Sequence, residues 1–345
     1  MALEFGIFDH VDRSPLPLPD FYEHRLRLIE AYEKAGIRTY HCAEHHYTPL
    51  GMATSPSVFL SAVAQRTTKL RFGPLVYTLA LYHPLRLAEE ICMLDQISRG
   101  RLDLGVGKGI SPIETGYYGI DYKDANAVFD ESMAVIRQSL TQDTINFEGQ
   151  FYNFKDIPVQ LRPYQKPMPP LWYGVISPDS AARAAKARMN IIGNVTAERF
   201  RPMADSYRAA YTPEQPGDPM PRIGINRYIV LADTEAEALE VGRRAYRVWH
   251  SNFMWLWNKH NRNPVGVVYP PEIDEQMADS RAIVGTPDKA LELLKKDLAD
   301  SGANYLVCRF AFGDLTLDES LRSLELFSKH VMPGLRESVR EPALA

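Results

Sequence analysis

The sequence lacks a long apolar run. No stretch approaches the roughly 20 consecutive apolar residues that a membrane-spanning helix needs. The first ten residues carry Glu4 and Asp9, where a secretion signal would have basic and then apolar residues. We therefore expect a cytoplasmic protein that has no membrane partner.

Cysteine is also scarce. The chain has three cysteines, Cys42, Cys92 and Cys308, which are widely spaced and form no Cys-x-x-Cys motif. An odd number of isolated cysteines favours neither a disulfide framework nor a zinc knuckle. We interpret each of them as a small buried apolar side chain.

Blocks of like charge are missing as well. The 39 lysines and arginines and the 43 aspartates and glutamates are interspersed and give a net charge of -4. This pattern argues against a nucleic-acid partner and against an acidic or basic tail. With 345 residues, of which 45% are hydrophobic, the chain can instead bury a large core.

What the sequence does contain is a regular alternation of short β-rich runs with helical patterns, which is typical of parallel β-α-β units. Helix starts with a proline in the first turn, such as Ser55-Pro56 and Thr286-Pro287, separate several of the runs. About eight strands are readable, the number that a (β/α)8 TIM barrel needs, and we predict one such α/β domain over residues 1–345. The predicted strands are Leu3 to Phe8, Thr39 to Cys42, Leu70 to Val76, Leu102 to Val106, Pro170 to Val175, Ile191 to Gly193, Ile223 to Leu231 and Tyr305 to Phe310.

Two segments depart from an ideal barrel and are predicted to be insertions, at about 145–169 and 261–280. In the first, Ile145 to Phe154 alternates around Glu148-Gly149 like a β-hairpin, and a proline-rich excursion follows. The second has no clear period and is predicted to be a long loop. It is either a mobile flap over the barrel mouth or a surface or dimer-contact excursion.

In a TIM barrel the active site lies at the carboxyl ends of the strands, so residues just after each strand are the candidates. Glu44-His45-His46-Tyr47 follows the second strand and contains groups that titrate near neutral pH. A catalytic histidine, a metal site and two structural histidines are all open readings. Adjacent side chains of an extended segment point in opposite directions, which disfavours chelation of one metal by both histidines, and we predict no metal.

Two further segments could bind an anion. Gly105 to Ile110 (GVGKGI) combines small residues with Lys108, which suits a phosphate, although a turn required only by strand-to-helix geometry would look the same. Ser177-Pro178-Asp179-Ser180 opens a helix after the fifth strand. Ordinary N-capping explains one of its serines, and we reason that only a ligand would need both. Together with Lys108 they could form one anion site.

Two other features are unusual. Gly73-Pro74 interrupts a predicted central strand, where regular pairing disfavours both residues. The aromatic segment Trp249 to Trp257 reads mainly as a buried helix face, from which one ring could reach the pocket.

Taken in order, these and other motifs resemble the luciferase-like flavin-dependent monooxygenases. The resemblance spans roughly Leu3 to Leu335 and is strongest from Ala43 to Tyr118. The segments that carry it are AEHHYT at 43–48, LRFG at 70–73, HPLRLAE at 83–89, LDQISRGR at 94–101, IVGTP at 283–287, Arg309-Phe310 to Gly313, SLELF at 323–327 and VMP at 331–333.

The resemblance implies roles for individual residues. His45 matches the histidine that the family has beside the flavin and that is tied to activity. Leu75 and Val76 fall where the family commonly has a non-prolyl cis peptide under the isoalloxazine ring. The implied cofactor-binding set is Leu75, Val76, Gly107, Lys108, Gly109, Ile110, Ser177 and Ser180.

Within that set, Lys108 stands where luciferase has a phosphate-binding arginine, and the two serines match its hydroxyl partners. Gly107 stands where luciferase has a reactive cysteine, and Ile176 replaces an acidic residue of the phosphate loop. These two departures disfavour light emission and leave oxygenation open.

The implied activity is that of an FMNH2-dependent monooxygenase that inserts one atom of O2 into a small organic substrate through a flavin C4a-hydroperoxide. No nicotinamide fingerprint is visible, so a separate NAD(P)H-dependent flavin reductase would supply the FMNH2, and a homodimer is expected. One rival is an F420-dependent hydride-transfer enzyme of the same superfamily. F420 has an acidic tail, yet Ile110 to Asp121 contains Glu114 and no basic residue. The other rival is a non-catalytic flavin-binding protein.

Overall fold

A computed structural model describes residues 3–266 and 269–340. Ten strands form one parallel sheet that curls into a nearly closed barrel with helices outside it, as predicted. Neighbours follow the order β3-β2-β1-β12-β10-β9-β8-β5-β4, with β11 beside β10, and β6 and β7 form a separate hairpin. The strands are β1 (Glu4–Asp9), β2 (Thr39–Cys42), β3 (Arg71–Pro74), β4 (Tyr77–Thr78), β5 (Leu104–Gly107), β6 (Thr144–Glu148), β7 (Asn153–Pro158), β8 (Leu171–Gly174), β9 (Asn190–Gly193), β10 (Ile223–Leu231), β11 (Ala282–Gly285) and β12 (Tyr305–Arg309).

The helices fill the connections between strands, and several begin at the prolines noted above. A 3-10 turn (Leu79–Leu81) precedes α3, and a π-helical stretch (Phe327–Val331) joins the last two helices. The helices are α1 (Leu18–Lys34), α2 (Pro56–Arg66), α3 (Pro84–Ile97), α4 (Pro112–Tyr117), α5 (Ala125–Thr141), α6 (Pro178–Lys186), α7 (Ala197–Ala210), α8 (Glu235–Lys259), α9 (Ile273–Ala278), α10 (Pro287–Ser301), α11 (Leu317–Leu326) and α12 (Met332–Arg340). No helix in the described ranges is long and apolar enough to cross a bilayer.

Two glycines allow β3 and β5 to approach each other where the barrel closes. A parallel bridge between Phe72 and Leu102 joins the two segments among the residues described. A Cβ on Gly73 would lie 1.7 Å from the carbonyl oxygen of Asp103, and one on Gly105 would lie 2.1 Å from that of Pro74. Only glycine permits this approach, which explains the irregular entry at Gly73-Pro74.

Alternation along β10 decides which side chains enter the barrel. Arg227 points outwards, where its Nε and Nη2 donate to the carboxylate of Asp297 in α10 at 2.9 and 2.8 Å. Successive side chains of a strand point to opposite faces, so Asn226 and Tyr228 face the interior. The register pairs Arg309, the last residue of β12, with Tyr228, which lies three residues before the end of β10.

The two predicted insertions are present in different forms. The hairpin is confirmed as the antiparallel pair β6 and β7, with a bulge between Ile145 and Phe147. The description of 261–280 as a long loop is wrong in part, because α9 lies within it; six residues are too few to show a helical period. The strand list was also incomplete, because β11 follows and pairs with β10.

Candidate active site at the carboxyl ends of the strands

Glu114 of α4 holds His45. The Nδ1 atom of His45 lies 3.2 Å from Glu114 Oε1, and the backbone N–H of His46 donates to Glu114 Oε2 at 2.9 Å. Burial raises the pKa of Glu114, but the neighbouring histidines, His45 foremost, outweigh it and hold the pKa below its ordinary value. An ionised Glu114 accepts a hydrogen bond from Nδ1–H of His45 and holds the ring in place, which leaves Nε2 to contact a ligand.

His46 points the other way, as predicted for adjacent residues. Its Nε2 lies 2.7 Å from Glu44 Oε1, and its Nδ1 lies 2.8 Å from the hydroxyl of Tyr118. Burial raises the pKa of Glu44, which also accepts from the backbone N–H of Thr78 at 2.8 Å and from the hydroxyl of Tyr82 at 2.9 Å. His46 and Glu44 therefore fasten the loop after β2 to β4.

His10, which follows β1, is a second histidine of the site that the sequence analysis did not assign. Its ring centroid lies 5.7 Å from that of His45, and the indole N–H of Trp249 donates to its Nδ1 at 3.3 Å. Burial, followed by the charge of Arg309 and by His45, lowers the pKa of His10 well below its ordinary value. His10 is therefore neutral and, because Nδ1 is an acceptor, its proton is on Nε2.

Trp249 is the ring of the aromatic segment that reaches the site. The second insertion follows the carboxyl-terminal end of α8. Its Tyr269 packs edge-on against Trp249, with ring centroids 4.9 Å apart. Asn194, which follows β9, donates a hydrogen bond to the Tyr269 hydroxyl. Tyr269 of the insertion therefore lies beside Trp249 and Asn194 at the barrel mouth.

Arg309 is also missing from the predicted set, although its position at the end of β12 was a usable signal. It is buried, and its Nη1 donates to the hydroxyl of Tyr228 at 2.7 Å. Its guanidinium carbon lies 4.7 Å from the ring centroid of Phe8 and 4.5 Å from that of Tyr228. A rigid cation therefore lies at the interior edge of the site.

The expected cis peptide between Leu75 and Val76 is present, in the gap between β3 and β4. The backbone N–H of Leu75 donates to the carbonyl of Cys42 at 2.7 Å, which joins this peptide to the end of β2, three residues before His45. A Cβ on Gly107 would lie 2.6 Å from Val76 Cγ2. The structure thus brings Leu75, Val76 and Gly107 together.

The three residues predicted for an anion site are less simply arranged. Ser177 Oγ accepts from the backbone N–H of Ser180, while Ser180 Oγ accepts from that of Ser177 and donates to the Ser177 carbonyl. The argument that only a ligand would need both serines is therefore wrong, because a capping box uses both. Lys108 Nζ lies 5.1 Å from the ring centroid of Tyr122, and no hydrogen bond in the described ranges joins Lys108 to either serine.

The remaining two candidates of the glycine-rich turn border the mouth. Gly109 has a φ of 86°, and a Cβ there would lie 2.6 Å from Thr78 Cγ2. Ile110 is 44% exposed, and its Cδ1 lies 3.3 Å from where a Cβ on Gly266 would be. The turn and the second insertion are therefore neighbours.

Within the described residues, no group of three or more metal-binding side chains occurs.

Acid–base residues, a neutral histidine and a buried cation at the carboxyl ends of a parallel barrel define an enzyme site of the TIM-barrel class. Comparison with known sequences identifies the family. The profile of the luciferase-like monooxygenases matches residues 3–305. The chain belongs to this family and is an oxidoreductase. An uncharacterized protein, y4wF, of Sinorhizobium fredii is 38% identical over 331 residues, which cover 96% of each chain.

Solved structures agree on the fold. The monooxygenase RslO1 from Streptomyces bottropensis superposes with a TM-score of 0.84 at 26% identity, over 96% of this chain and 99% of that one. The oxygenating constituent of 3,6-diketocamphane monooxygenase from Pseudomonas putida, in complex with FMN, gives 0.79 at 21%, over 96% and 98%. The F420-dependent tetrahydromethanopterin reductase of Methanopyrus kandleri gives 0.68 at 18%, over 97% and 100%. All three superpositions extend over at least 96% of this chain and support the barrel fold.

Proposed function

We propose that this protein is the oxygenase component of a two-component system, which uses FMNH2 and O2 to insert one oxygen atom into a small organic substrate. A separate NAD(P)H-dependent reductase would supply the FMNH2. The observation that carries the proposal is the His45–Glu114 pair, at 3.2 Å, beside the segment that contains Leu75 and Val76. This arrangement offers a positioned proton-transfer group next to a flat binding surface.

The chain's residues fit the two chemical parts of FMN. The flat ring needs a shelf without protruding side chains, which Leu75, Val76 and Gly107 would provide, with Gly109 and Ile110 at its border. The phosphate needs a cation and donors. Lys108 Nζ lies 5.1 Å from the ring centroid of Tyr122 and has no carboxylate within 4.0 Å among the residues described. The amino end of α6 lies at the same edge of the barrel.

The two serines would play different parts at this phosphate. Among the residues described, Ser177 Oγ acts only as an acceptor, from the backbone N–H of Ser180 at 3.2 Å, so its hydroxyl proton is available to a ligand. The hydroxyl of Ser180 already donates to the Ser177 carbonyl at 2.7 Å. Ser177 would therefore bind the phosphate, and Ser180 would hold the turn.

Reduced FMN, when bound, supplies the electrons that activate O2. The chain itself would manage protons and water. His45 Nε2 would hold or deliver a proton, and Glu114 would keep the ring in orientation. Neutral His10 offers its Nε2–H as a donor. Trp249 and Tyr269 would help to exclude water from the mouth.

The test is to add FMN, FMNH2 and F420 separately to the apoprotein and to measure which binds. Binding of FMNH2, followed by reaction with O2 that releases less H2O2 when a substrate is present, supports the oxygenase. Tight binding of F420 with no affinity for FMNH2 would contradict the oxygenase and favour an F420-dependent hydride-transfer enzyme. FMNH2 binding with no substrate-dependent change in H2O2 would favour a non-catalytic flavin-binding protein.

We also propose that the chain acts as a single-domain cytoplasmic homodimer. Apolar side chains are exposed on two adjacent helices, Val58 of α2 at 73% and Met93 and Ile97 of α3 at 52% and 46%. A second copy could cover them. Sedimentation analysis of the wild-type chain and of Val58→Asp tests this, and a wild-type monomer would contradict it.

A further inference from the structure

Among the residues that the structure describes, Arg309 differs from the other buried arginines in having no acidic partner. Within residues 3–266 and 269–340, three arginines are buried, Arg25, Arg227 and Arg309. Arg227 makes two hydrogen bonds to Asp297, and Arg25 Nε lies 3.6 Å from Asp9 Oδ2. No carboxylate oxygen in these ranges lies within 4.0 Å of Arg309. A buried charge is costly unless it is paired, so the exception points to a missing anion.

The hydrogen bonds of Arg309 show which edge of the guanidinium is unpaired. Nη1 donates to Tyr228, and packing against the rings of Phe8 and Tyr228 fixes the plane of the group. Nε is buried and has no hydrogen-bond partner. In the described part of the chain, Nη2 makes no hydrogen bond either. The Nε–Nη2 edge is the fork that binds a carboxylate through two parallel hydrogen bonds.

The surroundings of this edge favour an anion with an apolar body. His10, whose pKa Arg309 helps to lower, is neutral and has its proton on Nε2 because Trp249 donates to Nδ1. The Nε2–H of His10 and the charged guanidinium of Arg309 therefore both favour an anion at this edge. The rings of Phe8 and Tyr228 pack against the guanidinium, and the ring of Trp249 lies beside that of Tyr228, with centroids 5.2 Å apart.

We propose that Arg309 anchors the carboxylate of the substrate, so that the enzyme acts on small carboxylic acids that have an aromatic or apolar body. Calling this ligand the substrate rests on the proposed function, whereas the anion site itself does not. Arg309 would bind the carboxylate through Nε and Nη2, and the aromatic walls would pack against the remainder of the molecule. No chemical step is required of Arg309.

The experiment is a calorimetric titration of the full chain, with and without FMN, using benzoate and benzamide as probes. These molecules have the same shape and differ in charge. We expect benzoate to bind at least about tenfold more tightly than benzamide, because charge-assisted hydrogen bonds to arginine are lost with the amide. Arg309→Met should remove that preference and leave benzamide affinity unchanged, while Arg309→Lys should retain part of it.

Arg13 provides the matched control. It is exposed and lines a surface groove together with His46, Tyr118 and Trp255, so an anion bound there would depend on Arg13. Arg13→Met should leave benzoate binding unchanged. The proposal is overturned if the wild-type chain does not bind benzoate in the millimolar range or binds both probes equally. It is equally overturned if folded Arg309→Met and Arg309→Lys both keep the preference, or if Arg13→Met abolishes it. Benzoate binding by a chain that does not bind FMNH2 would keep the anion site and contradict only the proposed function.

Discussion

His45 and Glu114 are 69 positions apart in the sequence, yet Nδ1 of one lies 3.2 Å from Oε1 of the other. The contact depends on α4, the short helix after the glycine-rich turn, whose first turn contains Glu114. The helix is attached in turn to the end of α8, where Tyr117 contacts His260 through a hydrogen bond of 2.7 Å. The orientation of His45 therefore depends on its contact with Glu114 of α4. Through Tyr117, it depends also on the end of α8.

We predict that His45→Ala lowers turnover by about 10²–10⁴-fold, the usual contribution of general acid–base catalysis, while FMN still binds. The measurement is turnover of a substrate found by screening with an added flavin reductase. His83→Ala, at an exposed histidine outside the site, serves as control and should be unaffected. If His46→Ala instead lost this much turnover and His45→Ala lost almost none, His46 would be the proton-transfer residue.

Glu114→Gln should reduce turnover by about tenfold or more, because an amide does not fix the protonated nitrogen of His45 as a carboxylate does. Glu114 acts through His45, so its signature is a lower kcat with little change in KM. The stability effect has a defined sign. The pKa of Glu114 is lowered in the folded state, so its contribution is present above about pH 4.5 and is lost as the pH falls through the folded value. A wild-type advantage that grows on acidification would contradict this.

Lys108→Ala should weaken FMN binding by more than about tenfold through the loss of a charge-assisted phosphate contact. Riboflavin has no phosphate, so its affinity should not change, and fluorescence titration measures both. Lys123→Ala is the control, since Lys123 is exposed and lies 3.0 Å from Asp121. Equal weakening of FMN and riboflavin would show that Lys108 does not bind the phosphate.

Gly107→Ala should weaken FMN binding because its Cβ would lie 2.6 Å from Val76 Cγ2 and would displace that side chain from the proposed shelf. The double variant Gly107→Ala/Val76→Ala removes the clash and should recover affinity relative to Gly107→Ala alone. Gly174→Ala, at the end of β8, is the control, because a Cβ there meets no atom within 4 Å. Unchanged FMN affinity in Gly107→Ala would remove Gly107 from the site.

Local pattern and ordered motifs were enough to predict the barrel, the first hairpin and the cis peptide between Leu75 and Val76, whereas the role of His45 stays a prediction. They did not predict contacts that depend on distant parts of the chain. Glu114 was only an acidic residue in a loop until the fold brought it to His45. Arg309 lies at an ordinary strand end in the sequence, and only the packed barrel reveals that no carboxylate of the described residues lies beside it. Ser180 was misjudged because a capping box and an anion site use the same residue types at the same spacing.

Asp12 gives a pH dependence that can be measured without any ligand. Burial raises its pKa to about 7, against the opposing effects of Arg25 and of hydrogen bonds from Asn252 and Gly313. Because the folded value lies above the ordinary 3.8, stability from the protonated form is complete below about pH 4 and is lost as the pH rises through 7. Asp12→Asn cannot ionise, so we expect it to become more stable than the wild type, by an amount that grows across this window. One pKa unit corresponds to about 1.4 kcal/mol, so the difference in the free energy of unfolding should reach at least that size above neutral pH.

Urea denaturation across the window measures the free energy of unfolding, with Asp20→Asn, at an exposed aspartate, as the control. A difference that is constant with pH, or that shrinks as the pH rises, would show that the pKa of Asp12 is not raised in the folded protein.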